Sequence, residues 1–166
     1  MGTVELPSDV LAAICLKIDL PVDPDQWASS GKLNGGDWSG ALYRLFGAQF
    51  GDTSGPLPDR TWSEHLPAVI QLLVERGAEI NHLDGWNNTP LMWAACCPDG
   101  EDGGGYAPAV RKLLSLQEQD LSADWEGGGT AAQLADQYCS SSEIKSLMKD
   151  LPNRPAPFAT RVIIVS

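Results

Sequence analysis

At 166 residues the chain is long enough for one domain with a real core, and 43% apolar against 20% charged residues excludes intrinsic disorder. No run approaches the roughly 20 apolar residues of a membrane helix and no basic-then-apolar leader opens the chain, so no membrane partner and a cytoplasmic location are expected. The net charge of −11 is uneven: residues 1–150 balance at −13, while residues 151–166 carry only Arg154 and Arg161. Such a surface excludes nucleic acid as a partner and favours a basic protein.

In chain order, residues 1–20 read as a capping helix. Ser8 or Asp9 serves as its N-cap, and Val10, Ile14 and Ile18 line one face with Leu11 and Cys15 beside them. Leu20-Pro21-Val22-Asp23-Pro24-Asp25 breaks it. Gly40-Ala41-Leu42-Tyr43-Arg44-Leu45-Phe46 is a short apolar segment, followed by the loop sequence Gly51-Asp52-Thr53-Ser54-Gly55-Pro56. Pro67-Ala68-Val69-Ile70-Gln71-Leu72-Leu73 then places apolar residues at i, i+3 and i+4, one stripe of a helix.

Gly77 is placed to end that helix in a left-handed cap, and the Asn and Gly residues after it are turn formers. Thr89-Pro90-Leu91-Met92-Trp93-Ala94-Ala95 begins the next helix, with Thr as N-cap and Pro at the first position, where its missing N–H loses nothing. After Pro98-Asp99-Gly100-Glu101-Asp102-Gly103 comes a second copy of the first helix, Pro108-Ala109-Val110-Arg111-Lys112-Leu113-Leu114. Thr130-Ala131-Ala132-Gln133-Leu134-Ala135 and Ser142-Glu143-Ile144-Lys145-Ser146-Leu147-Met148 make a weaker third pair. The tail is the proline-rich Leu151–Pro157 and then the β-prone run Arg161-Val162-Ile163-Ile164-Val165, which is expected to lie back along the helices as an extended strand.

Helix, glycine stop, polar hairpin and Thr-Pro helix recur, and the order resembles the ankyrin repeat family. The match is best over residues 69–95, where Gly77-Ala78, Asn81, Asp84 and Thr89-Pro90-Leu91 fall on characteristic positions, and weaker over 38–150. Three departures stand out: Met92 occupies the family's histidine position, Asn87 a usual glycine, and Trp125 the aspartate of the third unit. A lesser likeness of residues 6–19 and 35–47 to the opening of a death-fold domain leaves too little chain for that fold's six helices. The resemblance implies an all-α, short helical-repeat solenoid. It makes residues 1–150 one domain: an N-terminal cap over 1–37, repeats over 38–83, 84–123 and 124–150, then the linker and tail over 151–166.

The spacings locate two insertions. Thr130 to Ile144 is 14 positions, Thr89 to Val110 is 21 and Gly40 to Val69 is 29. The extra residues fall at about 96–106 and 47–63, both between the helices of a unit and hence on one edge of a repeat stack.

Chemistry is harder to find. Cys15, Cys96, Cys97 and Cys139 form no C-x-x-C pattern, and with only His65 and His82 beside them no metal site is expected. Gly127-Gly128-Gly129-Thr130 lacks the lysine of a phosphate loop, and Asp99, Glu101 and Asp102 lack the terminal glutamate of a calcium loop. No catalytic residue and no cofactor are therefore assigned, and the chain is read as a non-enzyme.

The aromatics point to binding instead. Trp86 and Trp125 occupy corresponding hairpins, whose exposed tips the ankyrin resemblance implies as the partner-contacting surface, and tryptophan buries a large rigid area at little entropic cost. The partner-binding candidates are these two with their neighbours His82, Asp84, Asp124 and Glu126, Trp62 at the end of the first insertion, and Asp99, Glu101 and Asp102 in the second. Trp38 and Trp93, on helices, read as core. The expected function is that of an acidic inhibitor or immunity-type protein, a monomer when free, which occludes a basic protein. The alternatives are an intracellular adaptor or regulatory scaffold subunit and, from another class, an enzyme or metal-binding protein with an unrecognised site.

Overall fold

The computed structural model describes residues 2–18, 22–26, 42, 45–46, 60–83, 88–95, 106–116, 130–139, 141–149 and 160–165. Most of these are helical. In order come strand β1 (Gly2–Pro7), α1 (Ser8–Ile18), a 3-10 turn (Pro24–Gln26), α2 (Arg60–Glu75), α3 (Pro90–Ala95), α4 (Ala107–Leu116), α5 (Ala131–Tyr138), α6 (Ser142–Lys149) and strand β2 (Thr160–Val165).

The expected all-α architecture is corrected by the two strands. β1 and β2 pair in parallel with Gly2 opposite Thr160 and Pro7 opposite Val165, so the two ends of the chain meet. The anticipated capping helix over 1–20 is correspondingly shorter. It starts at Ser8, because the pairing with β2 keeps the chain extended up to Pro7, with Thr3 and Val4 β-branched and Leu6 fully buried. Within α1 the stripe Val10, Leu11, Ile14 and Cys15 is buried as its spacing required. Residues 160–165 of the tail are extended as expected, and Val162 packs against the core.

The second correction concerns α2. It begins at Arg60, two turns before the repeat motif, so the first insertion ends earlier than position 63. Ser63 and Leu66 are buried and extend the stripe of Val69, Ile70 and Leu73 backwards at helical spacing. Pro67 lies inside this helix, where it forfeits one backbone hydrogen bond, and burial of its neighbours outweighs that loss.

The helix ends are set locally. Arg76, Gly77 and Ala78 close α2: the Gly77 N–H donates to the Val74 carbonyl and the Ala78 N–H to the Leu73 carbonyl, both at 3.0 Å. Gly77 sits at φ 112°, which a side chain would oppose. Gly77→Ala is expected to destabilise the protein by about 1–2 kcal/mol, read as a lower thermal midpoint. No change would show that the cap is dispensable.

Thr89 and Thr130 play the same part at α3 and α5. The Met92 N–H donates to Thr89 Oγ1 at 3.3 Å, and the Gln133 N–H to Thr130 Oγ1 at 3.5 Å. In return the Thr130 N–H donates to Gln133 Oε1 at 2.8 Å and the Thr89 N–H to Met92 Sδ at 3.5 Å. Both helices thus carry a reciprocal cap, with a thioether standing in for the amide at the more buried site. At α6 the Ile144 N–H donates to Ser141 Oγ at 3.3 Å.

One core joins these elements. α2 packs on α4 and α4 on α6, α3 packs on α5, and within each pair α3 meets α4 and α5 meets α6. Val69, Leu73, Ala109, Val110, Leu113 and Ala135 are wholly buried there. Tyr106 corrects the second insertion, which reached it as loop. The side chain is buried at the start of α4, its hydroxyl donates to the Leu45 carbonyl at 3.3 Å, and its ring meets Phe46 edge-on at 5.4 Å.

Candidate partner-binding surface

The described part of the surface is the segment that follows α2. Once Gly77 has turned the chain, Ala78 and Ile80 are buried and pin it down, while Glu79, His82 and Leu83 face outwards. His82 Nδ1 lies 3.3 Å from Glu79 Oε2, and the His82 N–H donates to the Glu79 carbonyl at 3.3 Å. His82 is therefore exposed, as its candidacy required. Leu83, 44% exposed, and Glu79 were missed by the sequence argument, which favoured tryptophans over an aliphatic residue between polar neighbours.

Asp84, Trp86, Asp99, Glu101, Asp102, Asp124, Trp125 and Glu126 lie outside the described residues, as do Cys96, Cys97 and Trp38. Trp62 falls in the first turn of α2 rather than in a loop, and its side chain is likewise outside them. Trp93 is partly buried against the core, in keeping with its expected role.

Bases and acids are unevenly distributed along the chain. Arg76 pairs with Asp25 at 3.2 Å and Arg111 of α4 with Glu143 of α6. Such exposed pairs contribute little to stability. What they do is place acids against these bases. Lys112 is half-buried, and partial burial lowers its pKa while the Glu75 carboxylate raises it. Gln71 donates from Nε2 to Glu75 Oε1 at 3.0 Å, and its Oε1 is buried with no partner among the described residues. By contrast, residues 77–89 hold Glu79 and Asp84, and residues 117–129 hold Glu118, Asp120, Asp124 and Glu126, with no Lys or Arg in either stretch. These two stretches of sequence are acidic without a Lys or Arg of their own.

Reactive groups are few. Among the described residues no three His, Cys, Asp or Glu side chains cluster to hold a metal ion, and no helix is long and apolar enough to cross a membrane. Burial pushes the Cys15 thiol up from 9.0 to about 11, so it stays neutral and weakly nucleophilic. The unfolded chain ionises that thiol near 9.0, so its contribution to stability is whole below pH 9.0 and is lost as pH climbs towards about 11. Wild type should therefore lose thermal midpoint more steeply than Cys15→Ala over that interval. Parallel curves would refute this.

No protein-family model matches the chain, and no curated protein matches it either.

Proposed function

We propose that the chain is a short ankyrin-type repeat domain acting in the cytoplasm as a non-enzymatic protein-binding module, an inhibitor or immunity-type protein that occludes a basic partner. The observation that carries this reading is a coincidence of two patterns. Equivalent threonine-capped helices, α3 and α5, stack on one another, as do α2, α4 and α6. Before each capped helix runs a segment with one tryptophan and acids but no base. Repeat stacking of that kind sets successive hairpins side by side, and an acid-rimmed aromatic strip is complementary to a basic surface with apolar sockets. The alternative of an adaptor would call for a second functional region, and no observation favours it.

The test is capture on the immobilised full chain from cells of its source, followed by association kinetics of each captured protein across a salt series. A basic partner whose association slows steeply as ionic strength rises is the expected result. An acidic partner, or an association rate indifferent to salt, would sink the electrostatic part of the proposal.

A further inference from the structure

β1 and β2 are unlike in a way that the two-stranded sheet does not use. Val4, Leu6, Val162 and Ile164 share one face, on which Leu6 is fully buried and Val162 packs against the core while Val4 and Ile164 are 41% and 39% exposed. On the other face β1 presents Thr3 and Glu5, both polar and exposed. β2 presents Ile163 and Val165 there instead, and Val165 is 39% exposed. From Val162 to Val165 β2 is apolar on both faces, as strands inside larger sheets are. Yet among the described residues its one strand neighbour is β1, and on its other edge Arg161 is the one charge along the strand.

We infer that this edge is the contact between two copies of the chain, with β2 pairing antiparallel to β2 of the second copy across a two-fold axis to make a four-stranded sheet. Charge decides for a second copy at this place. A chain of net charge −11 resists self-association almost everywhere, but residues 151–166 hold no acid and two arginines. Meeting through β2, which holds no acid, keeps carboxylates out of the seam between the two strands.

Geometry decides the register. A two-fold axis perpendicular to a sheet keeps each face on its own side, so residues placed opposite one another must belong to the same face. Of the same-face registers, the one that keeps the two Arg161 farther apart sets Ile163 opposite Ile163 of the second copy, Val162 opposite Ile164 and Arg161 opposite Val165. The two Arg161 backbones are then four residues apart along the strands, about 13 Å, beyond the screening length at physiological salt. The exposed Val165 and Ile164 gain neighbours, and the monomer expected from sequence is replaced by a dimer.

Sedimentation of the full chain over a range of concentrations, at low and at high salt, tests this. A dimer that tightens as salt rises is expected, because screening relieves repulsion between the acidic bodies. Ile163→Lys sets two ammonium groups face to face and should weaken the dimer by about tenfold or more, with the helical signal intact. Mixing Ile163→Lys with Ile163→Glu should restore a one-to-one dimer tighter than either variant forms alone, which a folding defect could not do. Thr3→Lys, on β1, should leave the dimer unchanged. A monomer under every condition, undiminished dimer in Ile163→Lys, no rescue in the mixture, or loss in Thr3→Lys would each overturn the inference.

Discussion

Leu113→Ala is expected to lower the unfolding free energy by about 2–5 kcal/mol. Leu113 is wholly buried on α4, and α4 packs against α2, α3 and α6. Truncating the side chain removes apolar surface and leaves a cavity whose walls belong to several helices, so no single one can move in to fill it. For a chain of this length each kcal/mol shifts the thermal midpoint by about 2–4 °C, so a fall on the order of 10 °C should be seen by calorimetry or circular dichroism. Its repeat counterpart Leu72 is also buried, which makes Leu72→Ala a matching case. A midpoint that does not move in Leu113→Ala would mean that the helices are not packed in this register.

Trp86→Ala and Trp125→Ala are each expected to weaken binding of the captured partner by about 2 kcal/mol or more, roughly thirtyfold, without lowering the thermal midpoint. The expectation follows from the proposed division of labour at the acidic hairpins. Aromatic anchors resist departure once water has been excluded, so their loss raises the dissociation rate. Acids act earlier, at long range. Neutralising Asp99, Glu101 and Asp102 together should slow association and flatten its salt dependence while leaving dissociation nearly as it was. Surface plasmon resonance separates the two rates. Wild-type affinity in the double tryptophan variant would move the site away from the hairpins, and the insertion edge over 47–63 and 96–106 would be the next surface to delete.

Much of the helical part could be read without coordinates because its causes are short-range. The cap at Gly77 depends on residues within five positions, and the caps at Thr89 and Thr130 on residues within three. The buried stripe of α4, Val110 with Leu113 and Leu114, follows from helical geometry once a helix is granted. In each case the interaction energy is local, so the sequence window contains both partners. The candidate site was legible only as a composition: acids and tryptophans in corresponding stretches, with His82 shown to be exposed.

What tertiary structure alone decided are the contacts between distant partners. Residues 2–7 could be a strand or the first turns of a helix by local preference. Their pairing with residues 160–165, at the far end of the chain, makes them a strand. Arg60 to Ser63 fell at the end of the first insertion until Ser63 found a core to bury against, beside Leu66. Tyr106 sat in a glycine-rich stretch and gained its role from Leu45 and Phe46 some sixty positions earlier. Hydrogen bonding and burial across such separations depend on where the rest of the chain has gone, and that information is held by no window of sequence.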